Sequence, residues 1–307
     1  MLVIGAACTV VVADAADLAL HFFRGSDGTY LRSTYLGGRD SSVVAKIAGV
    51  ASYDGTVAVG DATRESVVLV SEAGGTIRRI RLVAQASAGF TARLALWRDN
   101  TILERALPVP GNPGGAVARM WDSSGMLLRQ IGAETAYENE SLQLAMNDGA
   151  LAVHRDTLWF GRFSDGRIFG YALHGRSSEQ PRVIELPLFY EMDAPTFVVA
   201  RRETGNQTGF LPAQVRHHLR VFTIDEHGSF LVVQMRADGS TVIASMAREG
   251  DTYRVFDVGG RVRAIAAGGG SVFAAVSQTG ATQGAQLLRF DLPYQQRGAC
   301  GVTPPLR

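Results

Sequence analysis

Two stretches of the chain, about 47 residues apart, read alike, and this limits the fold more than any other feature. Residues 9–23 are TVVVADAADLALHFF and residues 56–70 are TVAVGDATRESVVLV, with Asp14 and Asp61 in matching places. Each holds a β-branched run, a short connection whose carboxylate can accept backbone N–H bonds, and a second apolar run. A unit of that size cannot bury its own apolar faces, so copies of it must stack. A propeller or a solenoid meets that requirement.

The first unit runs on past the repeat. After LALHFFR, residues 25–28 (GSDG) tolerate positive φ, and TYLRS follows as a more polar run. Polarity that rises along the unit fits a propeller blade, whose outermost strand meets water. Degenerate copies place blades at about 2–34, 43–83, 93–132, 150–188, 219–258 and 263–292. The expected fold is therefore all-β: a single domain over 1–307, a six-bladed β-propeller with four-stranded antiparallel blades, the last lacking its fourth strand. Residues 189–218 fit no blade and read as an irregular insertion with one strand-like run, TFVVAR. Such excursions on a regular scaffold are where function concentrates. The last strand, near residues 287–291, should be an open edge unless the tail covers it.

The 35 glycines, 10 prolines and few helical periodicities agree with many short strands and tight turns. Thirty basic against 29 acidic residues leave a formal charge of +1, so no global field draws nucleic acid, and no nucleic-acid partner is expected. No run approaches the ~20 apolar residues of a membrane span. The opening MLVIGAAC outlines a lipoprotein leader but lacks a basic n-region, and LVIG reads better as an innermost strand. Cys8 and Cys300 stand near opposite ends. Propeller ends meet, so a ring-closing disulfide and two free thiols are both open.

With VVVADAADLALHFF, the Gly-Asp-Gly-type turn, YLRS and, in the third unit, VARMWDSSGMLLRQIG, the chain resembles bacterial six-bladed propellers of the NHL-like and TolB-like type. The resemblance covers nearly the whole chain. It implies an exported or cell-envelope binding protein, periplasmic if free.

No cluster carries a catalytic signature: G-x-S-x-G, a phosphate-binding loop, H-E-x-x-H and C-x-x-C are all absent. Asp14, Asp61, Asp165 and Asp238 each end or follow a second strand, and either ring a mouth to hold a divalent cation or serve their own turns. The second reading is expected, and with it no metal and no cofactor. ETAYENES at 134–141 reads as a solvated acidic face. Candidate binding residues are Trp97, Arg98 and His154 at ends of inner strands, and Arg201, Arg202, His217 and His218 around the insertion. Arginine beside aromatic rings suits an anionic or sugar-like ligand or a protein partner. The expected function is non-catalytic recognition, by a monomer, of a protein or small polar ligand at one mouth. The alternative is a lactonase-like hydrolase or lyase working in the central channel.

Overall fold

The computed structural model describes residues 1–5, 8–37, 44–82, 90–106, 115–137, 143, 145–174, 180–186, 199–204, 207–212, 219–236, 238–247, 253–277 and 286–292, with backbone only at 76–77, 90–92, 199–212 and 253. Blade 1 holds β1 (Leu2–Ile4), β2 (Thr9–Asp14), β3 (Ala19–Arg24) and β4 (Tyr30–Tyr35). Blade 2 holds β5 (Ile47–Tyr53), β6 (Thr56–Asp61), β7 (Ser66–Ser71) and β8 (Gly75–Arg81). Blade 3 holds β9 (Phe90–Trp97), β10 (Thr101–Ala106), β11 (Ala118–Trp121) and β12 (Leu127–Ile131). Blade 4 holds β13 (Gly149–His154), β14 (Thr157–Arg162), β15 (Arg167–Ala172) and β16 (Arg182–Glu185). A separate hairpin pairs β17 (Val199–Thr204) with β18 (Gln207–Pro212). Blade 5 holds β19 (Leu219–Ile224), β20 (Phe230–Met235), β21 (Thr241–Met246) and β22 (Tyr253–Asp257); blade 6 holds β23 (Arg261–Gly268), β24 (Ser271–Ser277) and β25 (Gln286–Asp291).

Among the described residues each blade is an antiparallel meander, four-stranded in five cases and three-stranded in the sixth. The innermost strands β1, β5, β9, β13, β19 and β23 touch one another in that order, and β23 returns to β1. The six-bladed propeller is closed. The repeat that announced it is structural: Asp14 opposes Ala19 as Asp61 opposes Ser66, and Val11 opposes Phe22 as Ala58 opposes Leu69.

β-Branched runs form the middle strands because only there are both faces covered. β6, β7, β20 and β21 are buried almost end to end, whereas the outer strands β4, β16 and β25 are largely exposed or half-buried. The innermost strand β13 is only half-buried because it borders the channel, although Leu94–Trp97 of β9 are buried. Burial thus peaks mid-blade instead of falling steadily outward. Between blades, apolar clusters fill each interface, from Phe22 and Val68 between blades 1 and 2 to Trp159 and Phe230 between blades 4 and 5. The closing interface is the thinnest, with Leu2, Val10, Ala266 and Phe273 at its buried centre. Polar ties supplement it. Arg289 of β25 donates to the carbonyls of Gly25 (3.1 Å) and Ser26 (2.6 Å) in blade 1.

Two expectations need correction. Residues 189–218 were expected to be irregular with TFVVAR the strand-like run; a regular hairpin lies within them instead, Val199 opposite Pro212 and Thr204 opposite Gln207. Glu134 does not lie on a solvated face: its side chain is fully buried against Arg105, which also donates to the carbonyl oxygens of Val117 (2.9 Å) and Asn147 (2.6 Å). A second buried pair, Arg119 to Glu104 at 2.9 Å, lies across β10 and β11 in the same blade. Buried carboxylates persist only when paired and hydrogen-bonded in this way.

Candidate functional site

The six inner strands begin on one face of the ring, here called basal, and end on the other, called apical. Contacts between neighbouring strand ends fix this. Ser52 Oγ donates to Ile4 O at 2.7 Å, both near apical ends, while at the basal ends Arg93 Nη2 donates to Asp148 Oδ2 at 3.0 Å beside the start of β13.

The apical face uses its polar groups to join blades. Trp97 is buried and its Nε1 donates to Arg155 O (3.0 Å), crossing from blade 3 to blade 4. Arg98 pairs with Asp156 at 3.0 Å across the same gap, and His174 packs at a tilt against Trp97 with ring centroids 5.0 Å apart. His154 Nε2 donates to Glu226 O (3.2 Å), tying blade 4 to blade 5. Glu226 Oε1 accepts from Gly270 N (2.9 Å), tying blade 5 to blade 6. Gly228 sits under His154 with φ near +90°, and a Cβ there would meet His154 Cε1 at 3.0 Å, so this latch requires glycine. At the seam, Cys8 is disulfide-bonded, and its Sγ lies 4.0 Å from Gly268 O of blade 6. The chain's other cysteine, Cys300, lies outside the described residues.

The basal face is built differently. Three inner strands carry a one-residue bulge near their start, and β9 has a wider register shift there, between the pairs Phe90–Ala106 and Leu94–Glu104. Ala48 falls between the pairs Ile47–Asp61 and Gly49–Gly60, Arg220 between Leu219–Gln234 and Val221–Val233, and Arg263 between Val262–Val276 and Ala264–Ala275. The extra residue in a bulge leaves the ladder and its side chain is re-aimed. All three line a central channel of about 460 Å³. The charged side chains lining that channel are Arg93, Arg220 and Arg263, with no Asp, Glu or His among the described residues around it. Each inner strand is a sheet edge, so its outer row of peptide groups also faces the channel.

The arginines differ in their bonding. Arg93 forks onto Asp148 and lies over the Phe163 ring, 5.2 Å from its centroid. Arg220 Nε points to Met235 Sδ at 3.3 Å, and Arg263 Nε donates to Ser277 Oγ at 3.0 Å. Arg261 stands two residues before Arg263 on β23, with its Nε buried and without a hydrogen-bond acceptor among the described residues. Desolvation, and behind it the Arg261 and Arg263 guanidiniums, pull Arg220 below the ordinary arginine range. Arg220 and Arg263 thus share the channel mouth, and neither they nor Arg261 form an ion pair among the described residues.

The turn aspartates serve their turns. Asp14 Oδ1 accepts from Ala16 N (2.8 Å) and Asp17 N (3.3 Å), Asp61 Oδ1 from Thr63 N (3.1 Å), Asp165 Oδ1 from Arg167 N (3.2 Å) and Asp238 Oδ1 from Ser240 N (2.9 Å). These backbone donors hold Asp14 below its ordinary pKa, and the Ser240 hydroxyl, then its N–H, do the same for Asp238. Among the described residues no three His, Cys, Asp or Glu side chains gather as metal ligands, and no helix is long and apolar enough to cross a membrane.

Of the residues singled out from sequence, Trp97, Arg98 and His154 are apical and engaged in blade-to-blade latches. Arg201 and Arg202 lie in β17 opposite Phe210 and Gly209, their side chains outside the described set, and His217 and His218 lie outside the described residues altogether. The chain leaves blade 4 after Leu186 and returns at Leu219, both basal: Leu186 N donates to Gly166 O (3.2 Å) and Leu219 N to Phe163 O (3.2 Å). The insertion is therefore rooted on the face opposite Trp97, Arg98 and His154. Sequence reasoning missed Arg220, Arg261 and Arg263. Their signal was RVR at the start of an innermost strand, matched by Arg220 at the same place one blade earlier.

No protein-family profile matches this chain, and no curated protein matches its sequence. Solved structures do match. A protein of unknown function from Bacteroides caccae aligns with TM-score 0.53 at 10% identity, covering 92% of this chain and 89% of that one. A calcium-binding regucalcin from Agrobacterium tumefaciens aligns with TM-score 0.50 at 11% identity, over 91% and 84%. A luciferin-regenerating enzyme aligns with TM-score 0.50 at 12% identity, over 92% and 86%. At such identities the likeness is one of fold.

Proposed function

We propose that this propeller is a non-catalytic recognition scaffold that takes a small polar ligand into the basal mouth of its channel. One observation carries the reading: bulges at the same level of three inner strands turn Ala48, Arg220 and Arg263 into the channel mouth. The rim supplies hydrogen-bond donors and the inner strand edges supply free peptide groups, which together suit a polar guest. The described lining holds arginines, the hydroxyls of Ser52, Tyr53 and Thr223, and apolar side chains, but no Asp, Glu or His to move a proton, which favours binding over turnover.

A polar-metabolite library screened by thermal shift tests this on the native protein and on Ala48→Trp, which fills the mouth. Stabilising compounds should lose their effect in Ala48→Trp, and lactone and ester substrates should show no turnover. Hits indifferent to Ala48→Trp, or turnover abolished by it, would overturn the reading.

A further inference from the structure

Resting on that reading, we infer that the ligand is an oxyanion, a carboxylate or phosphate group docked on Arg220 and Arg263. Bulges release Arg220 and Arg263 from their ladders. Each then has its Nε held, Arg220 by Met235 and Arg263 by Ser277, which fixes the guanidinium while leaving its two Nη groups outside those contacts. A planar fork held at one corner is pre-organised for the paired oxygens of a carboxylate or phosphate. Clustering like charges opposes folding unless something offsets it, yet blades 5 and 6 bring Arg220 and Arg263 to the channel with no described carboxylate in its lining. The contrast with Arg93 is informative. There the same fold level supplies Asp148 as a resident counter-charge, so that fork is filled. An incoming anion would do for blades 5 and 6 what Asp148 does for blade 3. The cleft position also concentrates the field at the mouth, which draws anions in and makes binding salt-dependent.

Isothermal titration with inorganic phosphate and, separately, citrate tests the inference, using the native chain, Arg220→Met, Arg263→Met and Arg220→Lys. Saturable binding of at least one anion is expected, weakened about tenfold or more in either methionine variant, since a lost charged hydrogen bond costs that much. Arg220→Lys should recover part of the loss, because it restores charge without the fork. Phosphate preferred over citrate would identify a phosphate site, and the reverse a carboxylate site. Binding of neither anion, or binding unchanged in both methionine variants, would overturn the oxyanion assignment. In that case an uncharged polyol hit still sensitive to Ala48→Trp would leave the recognition reading standing, whereas hits insensitive to it would remove both.

Discussion

The two mouths of the channel are made by the same six strands and put their polar residues to opposite uses. On the apical face, Trp97, Arg98, His154 and Glu226 each reach to the next blade and are satisfied there. On the basal face, Arg220 and Arg263 are turned out by bulges near Arg261, and all three are left without counter-charges among the described residues. Polar groups that are consumed by the fold hold it together, while polar groups that the fold presents and does not consume are available to a ligand. Apical substitutions should therefore cost stability and spare binding, and basal ones the reverse.

The largest expected effect is apical. Trp97→Ala removes a buried ring and the bond to Arg155 O, and should lower unfolding free energy by about 3–5 kcal/mol in denaturant titration. Anion affinity in the folded fraction should stay within about twofold. A large affinity loss would blur the distinction between mouths. Next, Glu226→Ala strips Gly270 N of its charged acceptor and should cost about 1–2 kcal/mol, with Glu226→Gln recovering part of it through its remaining carbonyl.

The fold was legible in the sequence to a degree that the site was not. The repeat pairing Asp14 with Asp61, and the three strand-like runs RVRAIAAG, GSVFAAVS and AQLLRFDL of the last unit, foretold six blades with a three-stranded last one. Within the insertion, Gly205 and Asn206 separating two strand-length runs is a hairpin signal that TFVVAR obscured. Trp97 and His154 were correctly placed at strand ends, but sequence cannot say that the facing turn of the next blade accepts their hydrogens. Arg220 and Arg263 stayed hidden because strict alternation hides a bulge: R-V-R on a regular strand puts both arginines on one face and offers no reason to single out the second. The buried pair Glu104 and Arg119 depends on cross-strand register, which a single chain does not display.

Basal substitutions should be nearly silent for folding. Arg220→Met and Arg263→Met remove like-charge repulsion, so thermal stability should hold or rise by a few tenths of a kcal/mol at low salt, the gain fading as salt screens it. A clear loss of stability would mean that the arginines are structural after all. The smallest effect concerns pH and should touch both faces alike. Asp14 and Asp238 on basal turns and Asp122 on an apical one are all held below the usual carboxylate range by hydrogen bonds from their turns. Their folded pKa values are depressed, so their contribution is fully present above the unfolded value of about 3.9 and is lost as pH falls through the lower folded values. Hydrogen exchange should show both sets of turns loosening together below about pH 4. Loosening confined to one face would show that the turns are not equivalent.

Crystals soaked in selenate would compare the two mouths within one experiment, since selenium reports an oxyanion's position through anomalous scattering. The expected result is a peak at the basal mouth within hydrogen-bonding distance of Arg220 and Arg263, and none at the apical latches around Trp97 and His154. An apical peak with an empty basal mouth would contradict the assignment of recognition to the bulged arginines.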